Sequence, residues 1–166
     1  YDLDPDIITC AKALGNGLPI GAMLGKKELA KAFGPGSHGT TFGGNKIALA
    51  SAKAVLEQLT PTFLAEVQEK SQAVFAAIHK QISPLTVVDS VSGLGLMIGI
   101  HLSAAVKVED VIGQLQENGL LTLSAKHNTL RLLPPLVMSE ADLLAGIDQI
   151  AAVLAKVAAV TESQSV

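Results

Sequence analysis

The sequence predicts an α/β chain in two parts, the end of a larger α/β domain over residues 1–59 followed by a small α+β domain over residues 60–166. Three observations predict it. Residues 1–45 carry two short β-prone runs between glycine-rich stretches that cannot hold a helix. Residues 46–82 read as helix, interrupted once at Thr60-Pro61. Beyond Ser83-Pro84 the apolar period shortens to that of strands, with one helix among them and one at the end.

Ile7, Ile8 and Thr9 form a β-prone run after Pro5, predicting a strand that ends near Lys12. Gly15, Gly17, Gly21, Gly25 and Pro19 then make a loop that leads into a strand around Ala22–Leu24. KKELAKAF (26–33) predicts a short helix, and GSHGTTFGGN (36–45) another loop. Lys46–Leu59 is Ala-rich and helical, and Thr60-Pro61 is an N-cap with proline at the first helical position. The helix that follows repeats apolar residues at Leu64, Val67, Val74, Phe75, Ile78 and Ile82. Strands are expected at 85–91, 93–102, 119–124 and 128–133, with a helix at about 108–118. Ser139-Glu140-Ala141-Asp142 reads as a capping box opening a last helix. That helix carries a core stripe of Leu143, Ile147, Ile150, Leu154, Val157 and Val160, and the TESQSV tail is expected to fray.

Composition narrows the function classes. Apolar residues are 49%, charged residues 16% and aromatics 3%, so the core is built from Ala, Val, Leu and Ile. A net charge of −3 leaves no electrostatic footprint for nucleic acid. The most apolar run, Leu143 to Val160, is interrupted by Asp148, Gln149 and Lys156, so no spanning helix is expected. The single Cys10 excludes an internal disulfide framework and suits the reducing cytoplasm. The first residue is Tyr1 rather than Met, which reads as part of a longer polypeptide.

Three places could carry chemistry. Lys12 lies at the carboxyl end of a strand, where open α/β sheets bind ligands, among Ala11, Ala13 and Leu14. An amine in apolar surroundings is available as a Schiff-base nucleophile, although most lysines so placed are simple surface residues. In GSHGTTFGGN, glycines admit backbone N–H groups to an anion and Thr40 and Thr41 offer hydroxyls, but a plain connection has the same composition. Arg131 is the only arginine and lies in Leu-Arg-Leu-Leu-Pro-Pro-Leu, so its guanidinium needs either a structural ion pair or a substrate carboxylate. His38, His79, His101 and His127 lack metal-ligand spacing, so no metal site is expected. Ser92 and Ser124 lack a nucleophile elbow, and Met23, Met97 and Met138 read as core fillers.

PDIITCAKALGNGLPIGAMLG, PGSHGTTFGGN and LRLLPP, in this order, resemble the class III pyridoxal-phosphate aminotransferases over essentially the whole chain. The acetylornithine branch resembles it most, because Leu18 runs directly into Pro19; ornithine and 4-aminobutyrate aminotransferases are the alternatives. The resemblance implies fold type I, with the end of the large cofactor-binding domain and the small carboxyl-terminal domain. It implies pyridoxal 5′-phosphate as cofactor and a cytoplasmic homodimer with its site at the interface. The expected reaction moves the δ-amino group of N2-acetylornithine to 2-oxoglutarate, in arginine biosynthesis. Lys12 matches the lysine that holds the cofactor as a Schiff base and then shuttles a proton. Thr41 matches the threonine that bonds the cofactor phosphate across the dimer interface, Thr40 its substrate-contacting neighbour, and Arg131 the binder of the substrate carboxylate. Ser92 departs from the pattern, since relatives often carry Arg there; the stretch it opens is given no catalytic role. The family's pyridine-nitrogen aspartate falls upstream of Tyr1, so the isolated chain is expected not to transaminate, or else to be a non-catalytic split module.

Overall fold

The computed structural model describes residues 2–164. They divide into two compact units, 1–63 and 64–166, with the division inside one helix.

In the first unit, β1 (Ile7–Cys10) pairs antiparallel with β2 (Ala22–Gly25), from Ile7 opposite Gly25 to Cys10 opposite Ala22. The segment 26–33 forms a 3₁₀ helix over Lys27–Ala32 rather than an α-helix. Helix α1 (Lys46–Gln58) follows a run of turns, and Asn45 Oδ1 caps it by accepting the N–H groups of Ile47 and Ala48 at 3.0 and 3.2 Å. Ala48 and Ala52 are the buried residues of α1. Ile7, Ile8, Met23 and Leu24 are 46–55% exposed, so both faces of the hairpin present apolar side chains.

The boundary falls in α2 (Pro61–Gln81), which starts as the sequence predicts: Thr60 Oγ1 accepts the Phe63 N–H at 3.2 Å. Val67, Ser71, Val74 and Ile78 form its buried face, whereas Leu64 is exposed.

In the second unit, four antiparallel strands run in the order β3-β4-β6-β5: β3 (Val88–Leu94), β4 (Met97–Leu102), β5 (Leu123–Ala125) and β6 (Thr129–Leu132). The first hairpin turns at residues 95–96 rather than at residue 92, where the sequence suggested. Leu94 pairs with Met97, so the turn is Gly95-Leu96 and residues 93–94 belong to the earlier strand. Gly95 takes φ +59, the left-handed region glycine enters cheaply, and Ser71 Oγ donates to its carbonyl at 2.8 Å. A bulge at Asp89 shifts the register between Val88 and Ser90. Of the expected strand 119–124 only its end is extended, because Gly119 turns at φ +81 after α3 (Val108–Glu117).

Ile98, Ile100, Leu102, Leu130 and Leu132 are the buried apolar side chains of β4 and β6. Val74 and Ile78 of α2, Val111 and Leu115 of α3, and Leu143, Ile147, Ile150 and Leu154 of α4 (Glu140–Gln164) are buried with them. Fully burying each such Ile or Leu contributes about 1.5–3 kcal/mol. Ser139 Oγ accepts the Asp142 N–H at 3.1 Å, as the capping-box pattern predicts. Two expectations for α4 fail. Val160 is 56% exposed, so the stripe ends a turn earlier, with Val153 and Ala158 completing the core. The helix also persists through the TESQ of the tail, with Thr161 Oγ1 bonded to the Val157 carbonyl at 2.9 Å; Ser165 and Val166 lie outside the described residues. By length and composition α4 is, against expectation, long and apolar enough to cross a membrane. Its buried stripe and the Gln81–Asp148 hydrogen bond of 2.8 Å to α2 make it a core helix here.

Candidate active site

Lys12 follows β1 by two residues and opens a 3₁₀ turn, Lys12–Gly15. Its φ is +58, uncommon for a residue with a Cβ and held here by the turn that follows. That turn is anchored. Ser51 Oγ of α1 donates to the Gly15 carbonyl at 2.8 Å, and the Leu18 N–H bonds the same carbonyl at 3.0 Å. Gly15 is buried, and a Cβ there would lie 2.7 Å from Ile20 Cγ2, so any side chain would force Ile20 to shift. The strand end and loop predicted around Lys12 are therefore present. The apolar enclosure is not: Lys12, Ala11 and Ala13 are exposed and Leu14 is half-buried.

Thr40 and Thr41 lie exposed in the turns that precede α1. The Thr40 carbonyl accepts the Gly43 N–H at 3.3 Å, and a Cβ on Gly43 would come within 2.8 Å of Thr40 Oγ1. Gly43 therefore leaves that hydroxyl open. Among the described residues no hydrogen bond joins Lys12 to either threonine.

Arg131, on β6, is half-buried between Gly99 of β4 and Leu123 of β5. Its Nε is buried with no hydrogen-bond partner, and among the described residues no carboxylate forms an ion pair with it. No structural ion pair to Arg131 is therefore seen among the described residues, and its buried Nε is left with an unmet hydrogen bond. Beside it, Thr122 Oγ1 is also buried and unpartnered. Both residues line a cavity of about 320 Å³ whose other walls include Leu132, Pro135, Met138 and Leu143. Thr122 was not read from the sequence, and only the tertiary structure distinguishes it from any other threonine.

Met23 and Met97 are exposed and Met138 is half-buried, so none of the three is core. Cys10 is a half-buried free thiol. A second polar cluster was also missed: Ser92, His101 and Thr129 are joined by hydrogen bonds although 9 and 28 residues separate them.

The chain belongs to the class III aminotransferases, whose family description, Aminotransferase class-III, matches residues 1–154. It is 59% identical over 154 residues to the acetylornithine aminotransferase of Lactiplantibacillus plantarum, covering 93% of this chain and 40% of that one. The acetylornithine aminotransferase of Lactococcus lactis is 47% identical, with 93% and 41% covered. Among solved structures, the ornithine δ-aminotransferase of Plasmodium falciparum aligns at TM-score 0.86 with 30% identity, covering 93% and 41%. The acetylornithine aminotransferase of Elizabethkingia anophelis aligns at TM-score 0.84 with 31% identity, covering 93% and 40%. The chain thus spans about 40% of the length of the curated relatives it matches.

Proposed function

We propose that this chain forms part of a pyridoxal-phosphate aminotransferase that moves the δ-amino group of N2-acetylornithine to 2-oxoglutarate, a step of arginine biosynthesis. The observation that carries the reading is its identity with the L. plantarum acetylornithine aminotransferase across 93% of the chain. The buried, unpartnered Nε of Arg131, beside the cavity it lines, is consistent with that reading.

The residues fit the cofactor by their chemistry. When bound, pyridoxal phosphate supplies an aldehyde that captures amines and a ring that withdraws electrons. The exposed Lys12 amine, two residues past a strand end and before a tight loop, would be the group that holds it. Freed from that task, the same amine is a base able to move a proton at the reacting carbon. Thr41 donates its hydroxyl to the phosphate, in a homodimer from one subunit to its partner's site. Thr40 contacts substrate. Arg131 binds the substrate carboxylate through a planar two-bond fork, which also excludes substrates that lack a carboxylate at that distance. We place the enzyme in the cytoplasm.

The test compares N2-acetylornithine with free ornithine and 4-aminobutyrate as donors to 2-oxoglutarate, using the full-length enzyme. A preference for the acetylated donor by 10-fold or more in kcat/KM, about 1.4 kcal/mol, is expected. A preference for free ornithine would replace the acetylornithine reading and leave the class standing.

A further inference from the structure

The Ser92–His101–Thr129 cluster lies on one face of the four-stranded sheet, and its hydrogen bonds orient the His101 ring. Thr129 is 4% exposed, and its Oγ1 lies 2.9 Å from the Lys126 carbonyl and 3.2 Å from that of His127. Carbonyls only accept, so the single Thr129 hydroxyl proton is committed to them. The Thr129 oxygen must then accept from His101 Nδ1, 2.9 Å away. That places a proton on Nδ1, and in the neutral imidazole Nε2 is then the acceptor. With the ring neutral, Ser92 Oγ, 2.7 Å from Nε2, is the donor in that bond. Ser92 is itself exposed.

The sheet register makes the cluster. His101 pairs with Thr129 on one side and with Ser90 on the other, yet its ring bonds Ser92 rather than the residue directly opposite. Gly99, the ladder partner of Ser92, allows this. A Cβ on Gly99 would lie 3.1 Å from Thr129 Cγ2, 3.4 Å from Ser92 Oγ and 3.7 Å from His101 Nε2. The missing side chain is the space over which imidazole and hydroxyl meet.

A hydroxyl donating to a bare imidazole nitrogen, with the other nitrogen held by a buried acceptor, is the arrangement of an activated oxygen nucleophile. We propose that Ser92 is an acyl-accepting nucleophile, with His101 as its general base and Thr129 positioning the imidazole, and that its substrates are activated carboxylic esters. In the step, Ser92 Oγ bonds to the ester carbonyl carbon while its proton passes to His101 Nε2. The carbon–oxygen bond to the leaving alcohol breaks, and His101 returns the proton to that oxygen. Acyl-serine and free alcohol result.

The test treats the full-length protein with p-nitrophenyl acetate and locates acetyl groups by tandem mass spectrometry. Ser124, exposed on β5, is the internal reference in the same molecule. Ser92 is expected to acetylate about 100-fold faster than Ser124, the low end of what a positioned general base contributes. His101→Gln removes that advantage. Thr129→Val lowers it and Thr129→Ser restores it, a rescue that a purely structural threonine would not show. Unfolding in a variant would bring both serines to one rate, so circular dichroism accompanies each. A Ser92 advantage below about 10-fold, or one that survives His101→Gln in a folded protein, overturns the proposal.

Discussion

The side-chain oxygen of Asn128 accepts the Val108 N–H at 2.9 Å, so a residue from the β5–β6 turn caps helix α3 from outside its own chain segment. Lys107, at the N-cap position, offers no side-chain bond. The Asn128 amide nitrogen meanwhile reaches the carbonyls of Leu102, Ser103 and Val106 at 2.7–3.1 Å. One side chain at φ +54 therefore ties the end of β4, the following loop and the start of α3 together. Asn128→Ala strips partners from a half-buried cap, and a loss of about 2–3 kcal/mol is expected. Urea denaturation should show a lower midpoint at constant slope; an unchanged midpoint would mean water replaces the amide without cost.

Two glycines should respond to alanine with opposite signs. Gly93 has φ +143, and a Cβ there would fall 2.3 Å from the Met97 carbonyl oxygen, a backbone atom that cannot step aside. Gly93→Ala should distort the β3–β4 hairpin and lower stability by more than about 2 kcal/mol. Gly113 lies inside α3, exposed, with open space around its Cβ position. Gly113→Ala should raise stability by about 0.5–1 kcal/mol. Thermal melting of the two variants checks both signs.

How far the sequence could be read depended on how local the cause was. Thr60-Pro61 and Ser139 act within three residues, and both caps form as their spacing predicts. The β3–β4 turn was misplaced because Gly93 and Gly95 both suit a turn, and only the pairing of Leu94 with Met97 selects between them. Val160 continues the α4 stripe by period alone, but the surface beneath the helix ends before it. At the candidate site the Lys12 loop was legible from its glycines and the exposure of Lys12 was not, since enclosure depends on distant residues. Ser92, His101 and Thr129 form no pattern along the chain, because strand register brings them together.

The revised α4 stripe is testable in one pair of variants. Leu154 is fully buried, and Leu154→Ala should cost about 2–5 kcal/mol. Val160 is exposed, so Val160→Ala should fall within about 0.5 kcal/mol of the parent. Equal losses in denaturation experiments would contradict the stripe boundary at Ala158.

If Arg131 holds a substrate carboxylate, replacing its fork with a point charge should weaken that grip while keeping the charge. Arg131→Lys in the full-length enzyme should raise KM for 2-oxoglutarate by about 10- to 100-fold, 1.4–3 kcal/mol. Steady-state kinetics with varied oxo acid checks it, and an unchanged KM would return Arg131 to a structural role.

The central claim is that Lys12 carries the cofactor, and borohydride reduction of the full-length holoenzyme, followed by peptide mapping, tests it most directly. The account predicts a stable pyridoxyl mark on Lys12 and none in an otherwise folded Lys12→Ala variant. A mark on any other lysine, with Lys12 unmodified, would contradict it.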